Sequence, residues 1–321
     1  MLMIPRGRFP WKGKVVVARL ASTTRKCLRP AAGAAAAPHA SPLAAPAHCV
    51  PSFSPRSLAR RPRAPRLLIY FTMPQEDSGR GVVAWLRRWW RPLLGEVVAT
   101  ALLVLLGVAS VVPVKHGEFA PLVHPAFAFG FMVLVNVEVF GPVSGAHMNP
   151  AVTLTALLDR RLPPLAAVAY VVAQVFGAAL GFAALQAMAP LPFNGCTAPA
   201  PGVSVWAAVC VEALLTGTLA LLCCAVWSAH DASGPDRSVP LKFGLTVAGL
   251  VYAGGAMTGA SLNPARSLAP AMLQTFWKDH WVYWVGPLGG AALATALHRG
   301  LRAPPAPRRD VELPLHDKPD H

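Results

Sequence analysis

The sequence is short of charge. Only 13% of its 321 residues are Asp, Glu, Lys or Arg, and 54% are hydrophobic, whereas soluble domains carry about 25% charged residues. Acidic residues are the scarcer sign: none occurs in residues 1–72, and only Glu76 and Asp77 precede Leu93. This composition argues against a soluble globular domain and favours a membrane protein.

Positive charge is plentiful but unevenly placed. More than half of the 29 Lys and Arg residues precede Leu93, so the formal net charge of +15 belongs mainly to an N-terminal arm. Because the remainder is nearly neutral, we do not expect the chain to bind nucleic acid.

Signs of catalytic or metal chemistry are also missing. The six cysteines show no metal-ligand spacing, and no nucleophile paired with a general base can be recognised in the sequence. Cys223 and Cys224 are adjacent within an apolar run, where packing is the simpler explanation. We therefore expect neither an enzyme nor a bound metal or other cofactor.

Both ends of the chain are predicted to be disordered. Residues 1–88 are basic, and their Ala- and Pro-rich run also resembles a mitochondrial transit peptide. A third interpretation is that the protein starts at Met73, which would make residues 1–72 an extension of the gene model. Residues 303–321 are Pro-rich and charged, and are expected to be a disordered cytoplasmic tail.

Residues 89–302 are predicted to form a membrane domain. Six apolar runs approach the roughly 20 residues that span a bilayer as a helix; they are residues 93–114, 124–141, 163–188, 205–229, 240–258 and 281–301. Six spans place both termini on one side, and clusters of Arg predict that this side is cytoplasmic. We expect the plasma membrane, with a mitochondrial or other organelle membrane as the alternative.

The domain contains an internal repeat, predicted over about residues 93–190 and 205–301. Glu96 is matched by Glu212 after 116 residues, and Asn149 by Asn263 after 114 residues. Near-constant spacing indicates a duplicated unit of three spans. Because three is odd, the second unit must be inverted relative to the first, as is common in membrane transport proteins.

One short motif occurs in each unit, as "HMNPAVTL" and "SLNPARSL". Proline suits the first turn of a helix, so each motif predicts a helix that starts at its asparagine. Each segment is too short to span, and we expect a half-helix that enters from its own face. Inversion would bring the positive ends of both half-helices together at the midplane.

These features resemble the aquaporin, or major intrinsic protein, family over roughly residues 90–301. The resemblance implies an all-α membrane fold of six transmembrane helices and two re-entrant half-helices, a passive channel, and a homotetramer with one pore per subunit. It implies that Glu96 and Glu212 accept hydrogen bonds from the backbone of the two pore loops. The paired motifs are Asn149, Pro150, Ala151 and Asn263, Pro264, Ala265.

The family's narrowest ring can be carried over by counting from the two asparagines. It comprises Phe129, Val251, Ala260 and Arg266, and we call these four residues the filter ring. Water-selective members carry a histidine where this chain has Val251. An error of one residue in the count would replace Val251 by Leu250 or Tyr252.

A valine should leave the filter ring wider, with one apolar wall and one donating wall. Glycerol has a matching carbon face and row of hydroxyls, and urea is of similar width. Ser267 departs from ordinary glycerol facilitators, which typically carry Asp there. The chain therefore most resembles the insect glycerol-transporting aquaporins, which are water-channel scaffolds without the filter histidine.

Several alternatives stay open on the sequence alone. Within channels, the rival is a strictly water-selective pore, and the widened ring also makes weak ion conductance conceivable. A rival of another class is a non-conducting structural or adhesive membrane protein. In the cytoplasmic vestibule, His147 and Glu138 suggest either a pH-sensitive gate or, as we favour, a solvated pair.

Overall fold

The computed structural model describes residues 81–113, 115, 120–234 and 236–302. The predicted arm up to residue 80 and the predicted tail from residue 303 lie outside the described residues. The described part contains eight α-helices: α1 Val82–Ala109, α2 Val123–Ser144, α3 Pro150–Leu158, α4 Pro164–Met188, α5 Val205–Ser233, α6 Val239–Thr258, α7 Pro264–Leu273 and α8 Val282–Leu301.

The two short helices α3 and α7 are the expected half-helices. Each begins with the proline of its motif, and the preceding asparagine is the N-cap. Proline is suited to this position because the first N–H groups of a helix have no partner within the helix. The six longer helices correspond to the six predicted spans, so the predicted fold class is confirmed.

Five of the six long helices are long and apolar enough to cross a membrane: α1, α2, α4, α5 and α6. The sixth, α8, has 20 residues and ends with His298 and Arg299 in its last turn. Its glycines and this basic end lower its mean hydropathy.

Helix α1 begins at Val82, well before the predicted start of the first span at residue 93. The prediction was late because Arg87, Arg88, Arg91 and Pro92 interrupt the apolar pattern. Packing extends the helix, since Trp89 is fully buried and its ring lies 6.1 Å from that of Tyr170. The boundary at residue 88 that we expected for the N-terminal arm is therefore also too late.

The two repeats pack in equivalent ways. Helix α1 packs on α4 and α5 packs on α8, while α2 and α6 contact each other across the molecule. Each half-helix lies against the last long helix of the other repeat, α3 on α8 and α7 on α4. The two units are therefore interlocked rather than side by side, and both half-helices are held in the interior.

Glycine allows these helix pairs to approach closely. A Cβ added at Gly181 in α4 would lie 2.2 Å from the carbonyl oxygen of Ala101 in α1. A Cβ at Gly290 in α8 would lie 2.1 Å from the carbonyl oxygen of Ala213 in α5. Real contacts are never this short, so any side chain at these positions would push the helices apart. Small residues serve the same purpose in membrane helix pairs generally.

This packing predicts a sharp difference between two neighbouring glycines of α8. Gly290→Ala should destabilise the protein by roughly 1–3 kcal/mol, the usual cost of overpacking. Gly289→Ala should have little effect, because a Cβ there meets nothing within 4 Å. The midpoint of thermal unfolding in detergent measures both, and equal midpoints would contradict the predicted close approach of α8 to α5.

Candidate pore

The two asparagines of the motifs link the two half-helices. The Oδ1 atom of Asn149 accepts from the N–H of Ala151 at 2.8 Å, and that of Asn263 accepts from the N–H of Ala265 at 3.0 Å. With the carboxamide oxygens occupied in this way, the Nδ2 groups must point away from their own helices.

Each Nδ2 group donates to the opposite pore loop. Asn149 donates to the carbonyl of Leu262 at 2.8 Å, and Asn263 donates to the carbonyl of Met148 at 2.7 Å. A carboxamide nitrogen has two hydrogens, so one remains on each side chain after this cross-link. Both asparagines line the same cavity, where the remaining hydrogens can serve a passing solute.

Glu96 accepts hydrogen bonds from the first pore loop, which precedes α3. Its side chain is fully buried and accepts from the backbone N–H groups of His147 at 2.9 Å and Met148 at 2.7 Å. The Ser144 hydroxyl at 2.6 Å and the Gln174 amide at 2.8 Å also donate to it. Four donors satisfy the two carboxylate oxygens, as a buried acid requires.

Glu212 performs the equivalent task in the second repeat. It is fully buried and accepts from the N–H groups of Ser261 and Leu262, each at 2.9 Å. The Thr258 hydroxyl donates to Glu212 at 2.7 Å. This hydrogen bond is equivalent to the one that the Ser144 hydroxyl donates to Glu96. Glu96 and Glu212 therefore each accept hydrogen bonds from the backbone of one pore loop.

The loops that these glutamates hold are conformationally strained. Four non-glycine residues in them have positive φ, which typically costs of order 1–3 kcal/mol each unless the surroundings impose it. Their N–H groups or those of their neighbours donate to the glutamates and their hydroxyl partners, so the buried acids offset this cost. The four residues are Ala146 (φ 49°), Met148 (53°), Ala260 (42°) and Leu262 (55°).

The filter ring comes together in the structure. Phe129, Val251, Ala260 and Arg266 all line the cavity, and the Arg266 guanidinium carbon lies 5.3 Å from the centroid of the Phe129 ring. Val251 is 5% exposed, whereas Tyr252 is 62% exposed and points away from the cavity. Val251 therefore lines the cavity and Tyr252 does not, so the alternative in which Tyr252 fills the ring is wrong.

Arg266 is held by a residue that the sequence analysis missed. Its Nη1 donates to the carbonyl of Gly195 at 2.9 Å, in the segment between α4 and α5. A Cβ at Gly195 would lie 2.6 Å from the Phe182 ring, so any larger residue would require neighbouring side chains to move. In the same region, the Thr197 and Ser267 hydroxyls are 2.7 Å apart. Nothing in the local sequence marks Gly195 or Thr197, since their partners are about 70 positions away.

His147 and Glu138 lie in different surroundings. His147 is only 3% exposed, lines the cavity, and its Nδ1 is 3.2 Å from the Thr153 hydroxyl. Glu138 is exposed on α2, next to Val137, which lines the cavity. The expectation of a solvated vestibule pair is therefore wrong for His147, because its ring is packed between Tyr170 and Trp227.

The cavity has a volume of about 70 Å³, enough for several water molecules. Its walls are mostly apolar, and polar side chains occur at a few positions only. Among the described residues, Arg266 is the one side chain with a fixed charge in the lining, and no carboxylate faces the cavity. The polar lining side chains are His147, Asn149, Ser261, Asn263 and Arg266.

Comparison with known proteins agrees with this architecture. The family model described as "Major intrinsic protein" matches residues 85–298, which is more than half of the chain. The chain belongs to the major intrinsic protein family. Members of this family are membrane channels and not enzymes, so the protein is a multi-pass membrane protein of the passive channel type.

Three curated relatives illustrate the range of similarity. Aquaporin-2 of Bos taurus is 39% identical over 220 residues, covering 67% of this chain and 80% of the relative. Lens fiber major intrinsic protein of Ovis aries is 38% identical over 221 residues, covering 67% and 82%. Aquaporin-4 of Mus musculus is 34% identical over 238 residues, covering 71% of each.

A solved structure supports the fold. The aquaglyceroporin from Plasmodium falciparum aligns with a TM-score of 0.58 at 24% sequence identity, covering 66% of this chain and 96% of that one. At this identity the similarity concerns the fold and not the permeant.

The buried glutamates yield a prediction for this major intrinsic protein. Glu212→Gln replaces one acceptor oxygen by an N–H₂ group that must face existing donors, at a cost of about 1–3 kcal/mol. We expect a lower thermal midpoint in detergent and a slower water flux into proteoliposomes. Glu138→Gln, at an exposed position, is the control. If both variants matched the wild type, Glu212 would not be holding the second pore loop.

Proposed function

We propose that the protein is a passive pore for water and for the small uncharged solutes glycerol and urea, and that it excludes protons and ions. The observation that carries this proposal is the composition of the filter ring. Two small apolar side chains, Val251 and Ala260, complete a ring whose other members are Phe129 and Arg266. No histidine narrows it, so the ring admits solutes wider than water.

The ring also matches the chemistry of glycerol. Arg266 donates one N–H to Gly195 and retains others for a solute, because a guanidinium has five N–H donors. Phe129, Val251 and Ala260 present an apolar surface to the carbon side of the same solute. On this basis we place the chain with water-channel scaffolds that lack the filter histidine, of which insect glycerol-transporting aquaporins are the example.

Exclusion of ions follows from the charges in the lining. Arg266 and the positive ends of α3 and α7 repel cations at two levels of the pore. The remaining N–H groups of Asn149 and Asn263 donate to the oxygen of a water between them. Such a water cannot accept a proton from one neighbour and pass it on in the same direction, which interrupts proton conduction.

Val251 can be tested against its neighbour. Val251→His should reduce glycerol and urea permeability by roughly tenfold or more while water permeability largely persists, because the ring becomes narrow. Tyr252→His places the same residue on the outer surface and should leave all three fluxes unchanged. The measurement is swelling or shrinkage of proteoliposomes in water, glycerol and urea gradients.

Other outcomes of the same experiment would contradict the proposal. A wild type that passes only water would be a strictly water-selective pore. Absence of all flux from correctly folded protein would indicate a structural or adhesive role. A cation flux that disappears when the pore is blocked would indicate an ion channel.

We also propose a homotetramer in the plasma membrane with both termini in the cytoplasm. The start of α1 carries Arg87, Arg88 and Arg91, and Arg299 at the end of α8 donates to the carbonyl of Leu158 at the end of α3. Basic residues thus gather at one face, as expected for a cytoplasmic side. Protease protection of a tag after residue 321 and cross-linking in native membranes test these points. An extracellular tag, or a ladder that stops below four subunits, would contradict them.

A further inference from the structure

We infer that Gln274 is a positioning residue for the filter ring, because it fixes the segment whose Gly195 carbonyl holds Arg266. The inference rests on the proposed function of the filter ring, and concerns a residue that lies outside the cavity lining. We call residues 193–197 the outer segment.

The outer segment belongs to the connection between α4 and α5. The described residues 192–200 form neither helix nor strand, so no ladder of backbone hydrogen bonds sets the direction of their carbonyl groups. The direction of one of them matters for the pore, because the Gly195 carbonyl accepts from the Arg266 Nη1 at 2.9 Å. Contacts made by side chains must therefore orient this carbonyl.

Gln274, the C-cap residue of α7, attaches the outer segment to that helix. Its Nε2 donates to the carbonyl of Phe193 at 2.9 Å, and its Oε1 accepts from the Cys196 thiol at 3.5 Å. The amide can face only one way, since a carbonyl oxygen has no hydrogen to give and must meet the NH₂ group. One side chain thus bonds to the outer segment on both sides of Gly195.

Ser267 attaches the other end of the outer segment. Its hydroxyl is 2.7 Å from that of Thr197, and both residues are buried. Ser267 and Gln274 are seven residues apart, which is close to two helical turns, so they project from the same face of α7. Both attachments therefore come from one side of one half-helix.

The two attachments leave the outer segment little freedom. Seven residues of α-helix rise about 10 Å, and four residues of extended chain reach at most about 14 Å. The outer segment lies along α7 in the opposite direction, with Thr197 beside the helix start and Phe193 beside its end. Gly195 is midway between them, where the Arg266 side chain reaches it.

Apolar packing also holds the outer segment, but it does not fix an orientation. The centroid of the Phe193 ring lies 5.7 Å from that of the Phe182 ring, and the free energy of apolar burial is non-directional. A hydrogen bond does have a direction, because a donor approaches a carbonyl oxygen close to the plane of the peptide. Phe182 thus keeps the outer segment against α4, whereas Gln274 determines how its peptide groups are turned.

Loss of the Gln274 hydrogen bonds would free Arg266 without removing its charge. Each permeating solute would then have to order the guanidinium, at a cost that a fixed donor avoids. The freed side chain could also turn into the space that Val251 leaves in the filter ring. Both effects are larger for glycerol, which must match several groups of the ring at once, than for the smaller water molecule.

Gln274→Met removes both hydrogen bonds and keeps a side chain of similar size. We expect the glycerol-to-water permeability ratio of proteoliposomes to fall by roughly threefold or more, with water permeability within about twofold of the wild type. Met272→Leu is the matched control, since Met272 lies on the same half-helix and is 44% exposed. Thermal midpoints in detergent show that each variant is folded. An unchanged or raised ratio in Gln274→Met would overturn the inference.

Two further variants distinguish positioning from a general loss of stability. Thr197→Val removes the second attachment with a side chain of the same shape, and should lower the glycerol-to-water ratio as well. In an Arg266→Ala background, Gln274→Met should leave the ratio unchanged, because Gln274 acts through the arginine. A further fall in that background would mean that Gln274 affects the pore by another route, and would refute its role as a positioning residue.

Hydrogen exchange tests the attachment independently of any permeant. Amide exchange in the peptide that contains residues 193–197 should be faster by roughly threefold or more in Gln274→Met than in the wild type or Met272→Leu. Equal exchange in the three proteins would show that Gln274 does not hold the outer segment, whatever the fluxes.

The outcomes separate this inference from the proposed function. If Val251→His abolishes glycerol flux while Gln274→Met changes neither the permeability ratio nor the exchange, the filter-ring proposal stands and the role of Gln274 is refuted. If the wild type passes only water but Gln274→Met accelerates exchange in the outer segment, the proposed function fails and the attachment by Gln274 stands.

Discussion

The structure depends on two buried carboxylates. Glu96 and Glu212 lie in the membrane interior without exposure, where an unsatisfied charge would be prohibitive. The N–H groups that satisfy them belong to loops with positive φ. Each loop adopts its strained conformation so that its N–H groups can donate to the glutamate. Each buried carboxylate is tolerated because these N–H groups satisfy its oxygens. The helix starts at Asn149 and Asn263 have their positions only as long as both conditions hold.

The two strained loops hold the half-helices in fixed positions relative to each other. The loops bring the asparagines close enough to donate to each other's backbone, at 2.7 and 2.8 Å, so neither half-helix can move without the other. The interlocked packing of α3 on α8 and α7 on α4 extends the coupling to the long helices. The result is a narrow cavity whose polar groups are fixed before any solute arrives, which spares a permeant the cost of ordering them.

Selectivity is then a matter of which side chains line a fixed cavity. Asn149, Asn263 and Arg266 supply hydrogen-bond donors to a solute. The apolar walls between these residues cannot replace the water molecules that the solute loses on entering the cavity. Val251 lies in the lining together with Phe129, Ala260 and Arg266. The sequence draws attention to Val251, because counting back from Asn263 reaches it. That Trp227 also lines the cavity is visible only once α5 and the first pore loop are assembled.

The sequence by itself determined the repeat, the six spans, the two half-helices and the family, because these rest on local patterns of apolar runs and Asn-Pro motifs. It could not determine which face of each long helix meets the cavity. In a membrane the lipid-facing and core-facing sides are both apolar, so no amphipathic pattern marks the inside. Tertiary packing alone decided that Val251 faces inward and Tyr252 outward. It also brought Gly195 to Arg266 and Arg161 to Trp227, since contacts between residues more than 60 positions apart leave no local trace.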